Sequence, residues 1–224
     1  MATENDSRHS TDLEGKQSTA PANYPVPIVS APTIANPGPL GLSSFALTTL
    51  VLSLHNAGAG LAADGPSNVV VGLAFFYGGL VQLLAGMWEF KTGNTFGATA
   101  FSSYGGFWFS YGMIFIPGAG ITAAYKDENV LAQSLGIYLM AWALFTGIML
   151  IASHRSSVGL VSMFFCLFIT FIMLAAGEFN QNLNCTRAGG AFGVVTAIIA
   201  FYNALSGLLT KSSSYFLLPM GRLN

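Results

Sequence analysis

The stretch VGLVSMFFCLFITFIMLAA at residues 158–176 decides the fold class, because nineteen consecutive residues pass without a charged side chain. A helix needs about 20 apolar residues to cross the roughly 30 Å hydrocarbon core of a bilayer. Stretches of similar length and character fill the chain on either side. They lie at residues 39–60, 69–88, 96–116, 130–152 and 189–209. The sequence therefore predicts an all-α membrane protein with a bundle of six transmembrane helices.

The composition of the whole chain agrees with this class. Charged residues make up 8% of the 224 residues and hydrophobic residues 53%, whereas soluble domains carry about 25% charged residues. The net charge of −1 offers no basic surface for a nucleic acid. The spans contain no metal-binding pair, serine elbow or phosphate-binding loop. We therefore predict neither an enzyme nor a bound metal ion or cofactor, and no nucleic-acid partner.

Three regions follow from the distribution of polar residues. Residues 1–35 are polar and then proline-rich, and such a segment cannot bury enough apolar surface to order itself. We predict a disordered tail there, a six-helix transmembrane domain at residues 36–210, and a short tail at residues 211–224.

Lysine and arginine set the expected orientation, because they are enriched on the cytoplasmic side of a membrane. With the N-terminus inside the cell, four basic residues near the spans are cytoplasmic and two are not. The four are Lys91, Arg155, Lys211 and Arg222, and the two are Lys126 and Arg187. We therefore predict a multi-pass protein whose N- and C-termini are both cytoplasmic.

The motif NPGPLGL at residues 36–42 opens the first span. Asn36 is of a type preferred at helix N-caps, and proline fits the first helical turn. The free amide groups at such a helix start attract anions. The motif predicts either an anion-binding helix start or a plain helix start at the membrane interface.

One face of the first span mixes polar and apolar side chains at helical spacing. Its members are Phe45, Thr48, Thr49, Leu52, His55 and Asn56. A lipid-facing helix does not carry such a stripe, so this face is predicted to meet other helices or water. Hydrogen bonding between helices is the alternative to a binding role.

Glu89 lies near the cytoplasmic end of the second span and shares a face with Gln82 two turns earlier. An ionisable group this close to a span is a functional-site hypothesis, whereas Glu178 and the other acidic residues beyond the tail are predicted in or beside the opposite loops. We predict Glu89 as a buried proton site, and the alternative is a surface ion pair with Lys91.

The third span opens with a second cap, Asn94, and carries an aromatic stripe. The stripe comprises Phe101, Tyr104, Trp108 and Tyr111. Such a stripe is usually packing. Tyr104 is the exception, because a phenol in mid-membrane needs a partner or a watery cavity.

These motifs resemble the acetate uptake transporter family, which includes the succinate–acetate permeases. The matching stretches are NPGPLGL at 36–42, FFYGG at 75–79, GNTFG at 93–97, FSSYG at 101–105 and LP at 218–219. The resemblance covers roughly residues 35–221. It implies six transmembrane helices, a homo-hexamer with one pore per protomer, and passage of acetate and related small carboxylates. It also implies a constriction formed by Phe45, Tyr104 and Leu167.

From the resemblance we expect a plasma-membrane monocarboxylate transporter in the lipid bilayer that couples acetate uptake to protons, with Glu89 and His55 as proton sites. Thr48, Thr49 and Asn56 are the expected hydrogen-bonding groups beyond the constriction. The complete predicted set of pore residues is Asn36, Phe45, Thr48, Thr49, His55, Asn56, Glu89, Asn94, Tyr104 and Leu167. An acetate channel, an exporter of ammonium or ammonia, and an acetate sensor are the alternatives.

Overall fold

The computed structural model describes residues 34–60 and 65–223, which form an all-helical fold. The predicted disordered tail falls largely on residues 1–33, outside the described residues. The long helices are α1 Gly38–Ala57, α2 Val70–Thr92, α3 Thr95–Ile114, α4 Glu128–Ala152, α5 Val158–Asn180 and α6 Leu183–Leu208. The described residues contain no β-strand, and the prediction of an all-α protein is confirmed.

Five of these helices are long and apolar enough to cross a membrane, and α3 is the exception. Glycine, serine, threonine and tyrosine interrupt its apolar sequence, TFGATAFSSYGGFWFSYGMI. Nine of its twenty residues are buried against other helices. The longest predicted connection, between α3 and α4, is present and carries two 3-10 turns, Pro117–Ala119 and Thr122–Ala124.

Three helix bounds differ from the sequence prediction by four residues or more, namely the ends of α2 and α5 and the start of α6. Helix α6 begins at Leu183, six residues before the predicted start, because the Asn182 side chain accepts hydrogen bonds from the amides of Asn184 and Cys185. Helix α5 continues to Asn180. Glu178 therefore lies in the last turn of α5, beside the short connection to α6.

Successive helices run antiparallel, so the bundle has two faces. Face A holds the starts of α1, α3 and α5 and the ends of α2, α4 and α6, and face B holds the opposite ends. Of the described lysines and arginines, four lie at face A and two at face B. They are Lys91, Arg155, Lys211 and Arg222 at face A and Lys126 and Arg187 at face B, all exposed.

Helix α1 packs closely on α6 because α6 presents small residues to it. Gly190 lies against the backbone of Ala57, and Gly193 lies against the Ser53 side chain. A side chain at residue 190 would overlap the α1 backbone, and small residues allow such close helix approach. The small residues of α6 thus join two helices within one protomer.

Helix α2 changes to a π-helix over Phe76–Val81. Gly78 in this turn meets both neighbouring helices: a Cβ added there would lie 2.7 Å from Thr48 Oγ1 on α1 and 2.8 Å from a ring atom of Trp108 on α3. π-Helical turns are rare and frequently lie at functional sites. Here the turn lets three helices meet at mid-bundle.

The segment after α6 folds back on face A. The Gly221 carbonyl accepts a 2.8 Å hydrogen bond from the Val158 amide, and the Tyr202 hydroxyl donates to the Pro219 carbonyl at 2.7 Å. This segment, predicted as a short tail, is therefore attached to the start of α5 and the end of α6.

Candidate functional site

A cavity of about 610 Å³ opens at face B and extends to the middle of the bundle. Helices α1, α3 and α5 provide much of its wall, and α4 and the loops at face B complete it. The wall carries several aromatic side chains, among them Phe107, Trp108, Tyr111, Tyr138 and Phe171. Its size and apolar lining with a few polar groups are typical of a small-molecule site.

A second cavity, of about 20 Å³, lies on the face A side of the first. Its lining includes Leu42, Gln82, Phe101, Met163 and Phe164. A cavity of this volume has room for about one water molecule. The passage through the bundle is therefore wide toward face B and nearly closed toward face A.

Phe45, Tyr104 and Leu167 line both cavities, and no other described residue does so. They come from α1, α3 and α5, and none is more than 4% exposed. The ring centroids of Phe45 and Tyr104 are 5.7 Å apart. These three side chains, the residues expected at the constriction, therefore lie at the junction of the two cavities.

Tyr104 is held from the side of α4. Its hydroxyl lies 2.9 Å from Thr146 Oγ1, and its ring contacts those of Trp142 and Phe145. Thr146 is fully buried. Sequence reasoning missed this partner, because nothing in the chain pairs one mid-helix threonine with one mid-helix tyrosine.

Three buried polar side chains beside the cavities have no hydrogen-bond partner in the described protein. Thr49 Oγ1 and Trp108 Nε1 belong to residues that line the large cavity, and both amide atoms of Gln82 belong to a residue that lines the small one. Buried polar groups are normally paired. These three residues therefore leave hydrogen-bonding capacity unmet beside the cavities.

The structure brings half of the predicted pore residues together. Those that line the large cavity are Phe45, Thr49, Asn56, Tyr104 and Leu167. Thr48 lies outside both linings, because its hydroxyl donates to the Ser44 carbonyl at 2.9 Å and its side chain faces α2. His55 lies in the last turn of α1, also outside the linings.

Glu89, Asn94 and Asn36 lie at face A, outside both cavities. The Asn94 side chain and the Thr92 hydroxyl donate to Glu89 Oε2 at 2.9 Å and 3.2 Å. Glu89 is 3% exposed, so it is the buried carboxylate that was predicted. Its partners differ from the alternative, which paired it with Lys91.

The same cluster joins two helix starts. Asn94 accepts from the Gly97 amide at 3.0 Å and caps α3. The N-cap of helix α1 is Pro37, whereas the sequence predicted Asn36. Asn36 lies one residue before the cap, and its side chain accepts a 2.9 Å hydrogen bond from the Gly38 amide. Glu89 Oε1 lies 3.5 Å from the position of a Cβ at Gly38. A carboxylate near helix N-termini is stabilised by their partial positive charge.

Sequence reasoning noted some residues without assigning them to the site. Trp108 and Tyr111 were predicted as packing, yet both line the large cavity. Their helical spacing from Tyr104 was the signal that could have included them. Gln82 was noted only for sharing a face with Glu89.

A bundle of apolar helices around two cavities is typical of a membrane transport protein. A model of the GPR1/FUN34/yaaH family matches residues 19–224, and the chain belongs to this family. The resemblance found in the sequence is thereby confirmed.

Several relatives of known name are similar to the chain. Ammonia transport outward protein 2 of Saccharomyces cerevisiae is 52% identical over 185 residues, which are 82% of this chain and 64% of that protein. Acetate permease A of Emericella nidulans is 47% identical over 203 residues, with coverage of 86% and 67%. The succinate-acetate/proton symporter SatP of Escherichia coli is 38% identical over 189 residues, with coverage of 84% and 96%.

The fold is also similar to a solved structure, that of the bacterial acetate channel SatP. The TM-score is 0.74 at 37% sequence identity, over 84% of this chain and all of the other. The chain spans 64% of the length of two Saccharomyces cerevisiae relatives.

Proposed function

We propose that the chain is a membrane transporter that carries acetate and related small carboxylates through the two cavities. The observation that carries this proposal is the junction formed by Phe45, Tyr104 and Leu167. An apolar constriction blocks hydrated ions and favours a small carboxylate that has lost its water, or its neutral acid. The names of acetate permease A and SatP support the same substrate class.

The unpartnered polar groups supply hydrogen bonds on each side of the junction. Thr49 and Trp108 offer a hydroxyl and an indole N–H on the face B side, and Gln82 offers an amide on the face A side. A carboxylate that leaves water needs such replacements, because unmade hydrogen bonds in a buried site are costly. Substrate thus passes from the polar groups of one cavity to those of the other through the apolar junction.

In the proposed arrangement all six helices cross the plasma membrane, including the less apolar α3, and face A is cytoplasmic. The four-to-two excess of basic residues at face A supports this orientation. We propose acetate uptake coupled to protons and a homo-hexamer with one pore per protomer. The name of the Escherichia coli relative, a proton symporter, supports the coupling.

Export of ammonium or ammonia is the second candidate function. The 52% identical Saccharomyces cerevisiae relative is named for outward ammonia transport. The aromatic wall of the large cavity also suits a cation, because aromatic ring faces attract positive charge. Competition between labelled acetate and ammonium in one assay separates the two functions.

The test is uptake of labelled acetate into proteoliposomes, with and without an inward proton gradient. Empty vesicles and the Phe45→Ala variant are the references. Accumulation above equilibrium that requires the gradient supports a proton symporter, and rapid equilibration without accumulation indicates a channel. Flux no greater than in empty vesicles contradicts acetate transport and favours the ammonium or sensor alternatives.

A further inference from the structure

Glu178 lies near the end of α5 and lines the large cavity toward face B. It is the one charged side chain among the described residues of this lining, which contains no lysine, arginine or histidine. The residue is half-buried. An anion that enters from face B therefore meets a carboxylate with no described cation in the cavity wall to offset it.

The other described residues that line the cavity with Glu178 carry no charge. The other titratable side chains of the lining are Tyr104 and Tyr111 on α3 and Tyr138 on α4. Helix α6 contributes Thr186 to the wall. The ionisable residues at face B outside this lining include His55 at the end of α1 and the exposed Lys126, Asp127, Glu128 and Arg187. Asp64 lies outside the described residues.

Two like charges in a cavity with apolar walls repel strongly, because the local dielectric constant is far below that of water. An ionised Glu178 therefore raises the free energy of a carboxylate anion in the cavity. Protonation removes this repulsion and leaves a carboxylic acid that can donate a hydrogen bond to the substrate. Occupancy of the cavity by an anion should then follow the protonation of Glu178.

We infer that Glu178 is the protonation site that links carboxylate entry from face B to protons. This inference rests on the proposed function. A proton from the solution at face B binds the Glu178 carboxylate, and a substrate anion then enters. The anion then crosses the junction, the proton of Glu178 follows it to face A, and Glu178 is left ionised. The ionised group excludes the next anion until another proton binds, so one proton accompanies one carboxylate.

Glu89 is poorly placed for this role. It lies at face A outside both cavities, and one of its oxygens is already bound by Asn94 and Thr92. Glu178 lies directly on the proposed path. Replacement of Glu178 by glutamine should therefore change the pH profile of acetate flux, whereas the same replacement at Glu89 should not.

The experiment measures labelled-acetate flux into proteoliposomes that contain the full chain, at a constant concentration of acetate anion and varied external pH. Flux into empty vesicles is subtracted. The wild-type flux should fall by about tenfold per pH unit once Glu178 is ionised, because only the protonated fraction admits the anion. Glu178→Gln should remove this decline and leave a flat profile. Glu178→Asp should retain a declining profile.

Glu128→Gln is the matched control, because Glu128 is an exposed carboxylate at face B outside the lining. Its profile should match the wild type. A Glu178→Gln protein that elutes as the wild type in gel filtration but keeps the wild-type pH profile overturns the inference. Loss of acetate flux at every pH in that same folded variant also overturns it.

Two further outcomes separate this inference from the proposed function. Absence of acetate flux in the wild type contradicts the proposed function, and the inference with it. Wild-type acetate flux with an unchanged Glu178→Gln profile contradicts the inference alone. If methylammonium crosses through the wild type and Glu178→Gln abolishes that flux, the carboxylate is a cation site and the inference is wrong.

Discussion

Tyr104 donates its phenol proton to Thr146 across 2.9 Å. The direction follows from Thr146, whose hydroxyl donates to the Trp142 carbonyl at 2.7 Å. A threonine hydroxyl has one proton, so towards Tyr104 its oxygen can only accept. Helix α4 therefore holds the phenol, and Tyr104 presents its ring to the junction of the cavities.

Thr146→Val should loosen this junction, because it removes the acceptor while nearly preserving shape. A buried donor left without a partner costs about 1–3 kcal/mol, so thermal unfolding in detergent should shift to lower temperature. Flux of butyrate relative to acetate should rise because the Tyr104 ring is less constrained. Thr146→Ser keeps the hydroxyl and should resemble the wild type. In a Tyr104→Phe background, a further change in selectivity from Thr146→Val would contradict this account.

Leu167→Ala should widen the junction and admit larger carboxylates. The flux ratio of butyrate to acetate should rise several-fold, and stability should fall by about 2–5 kcal/mol, as in other buried leucine truncations. Leu174→Ala is the control, since Leu174 lines the large cavity away from the junction. An equal change in the flux ratio for both variants would show that the junction does not select by size.

Trp108→Phe should weaken acetate binding, because it removes an indole N–H that has no partner in the described protein. One neutral hydrogen bond contributes about 0.5–1.5 kcal/mol, which corresponds to roughly 3- to 10-fold in half-saturating acetate concentration. The half-saturating concentration is measured from uptake at a series of acetate concentrations. Trp88→Phe, on an exposed position of α2, should leave the value unchanged.

Gln82→Met should raise the stability of the protein and lower acetate transport. The Gln82 amide is fully buried without a partner, so an apolar side chain of similar size should raise the unfolding temperature. Acetate flux should fall because the small cavity loses the hydrogen-bonding amide of Gln82. Asn203→Leu replaces another buried, unpartnered amide, which lies outside both cavities. The Asn203→Leu variant should stabilise the protein without loss of acetate flux. A similar loss of flux in both variants would count against a role for Gln82.

Glu89→Gln should weaken the bundle at face A. A carboxylate near helix starts contributes about 0.3–2 kcal/mol, so its neutral analogue should unfold at a lower temperature. The pH profile of acetate flux should stay as in the wild type, because Glu89 lies outside the cavities. Loss of proton-linked flux with the fold intact would instead assign the coupled proton to Glu89, as the sequence alone suggested.

Much of the fold was predictable because apolar length is a local property of the chain. The ranges of five helices matched a bilayer-spanning length, and α3 fell short because glycine, serine, threonine and tyrosine interrupt its apolar sequence. The early start of α6 depended on the Asn182 cap, a local signal that was overlooked. The extension of α5 through Glu178 had no comparable marker.

The site was predictable only where a motif carried it. Phe45, Tyr104 and Leu167 came from the resemblance, and the structure puts them at one junction. Thr48 and Thr49 are adjacent in sequence, yet one faces α2 and the other the cavity, because neighbouring helical residues point about 100° apart. The pairing of Tyr104 with Thr146 depends on how α3 packs against α4, which periodicity within one helix does not specify.

The small cavity has a consequence for the cell that carries the protein. A space of about 20 Å³ beyond the junction holds no continuous column of water. Hydrated sodium, potassium and hydronium ions therefore have no continuous water path through the protomer. A membrane crowded with copies of this chain should keep its electrical potential, and the cell can raise their number without discharging it.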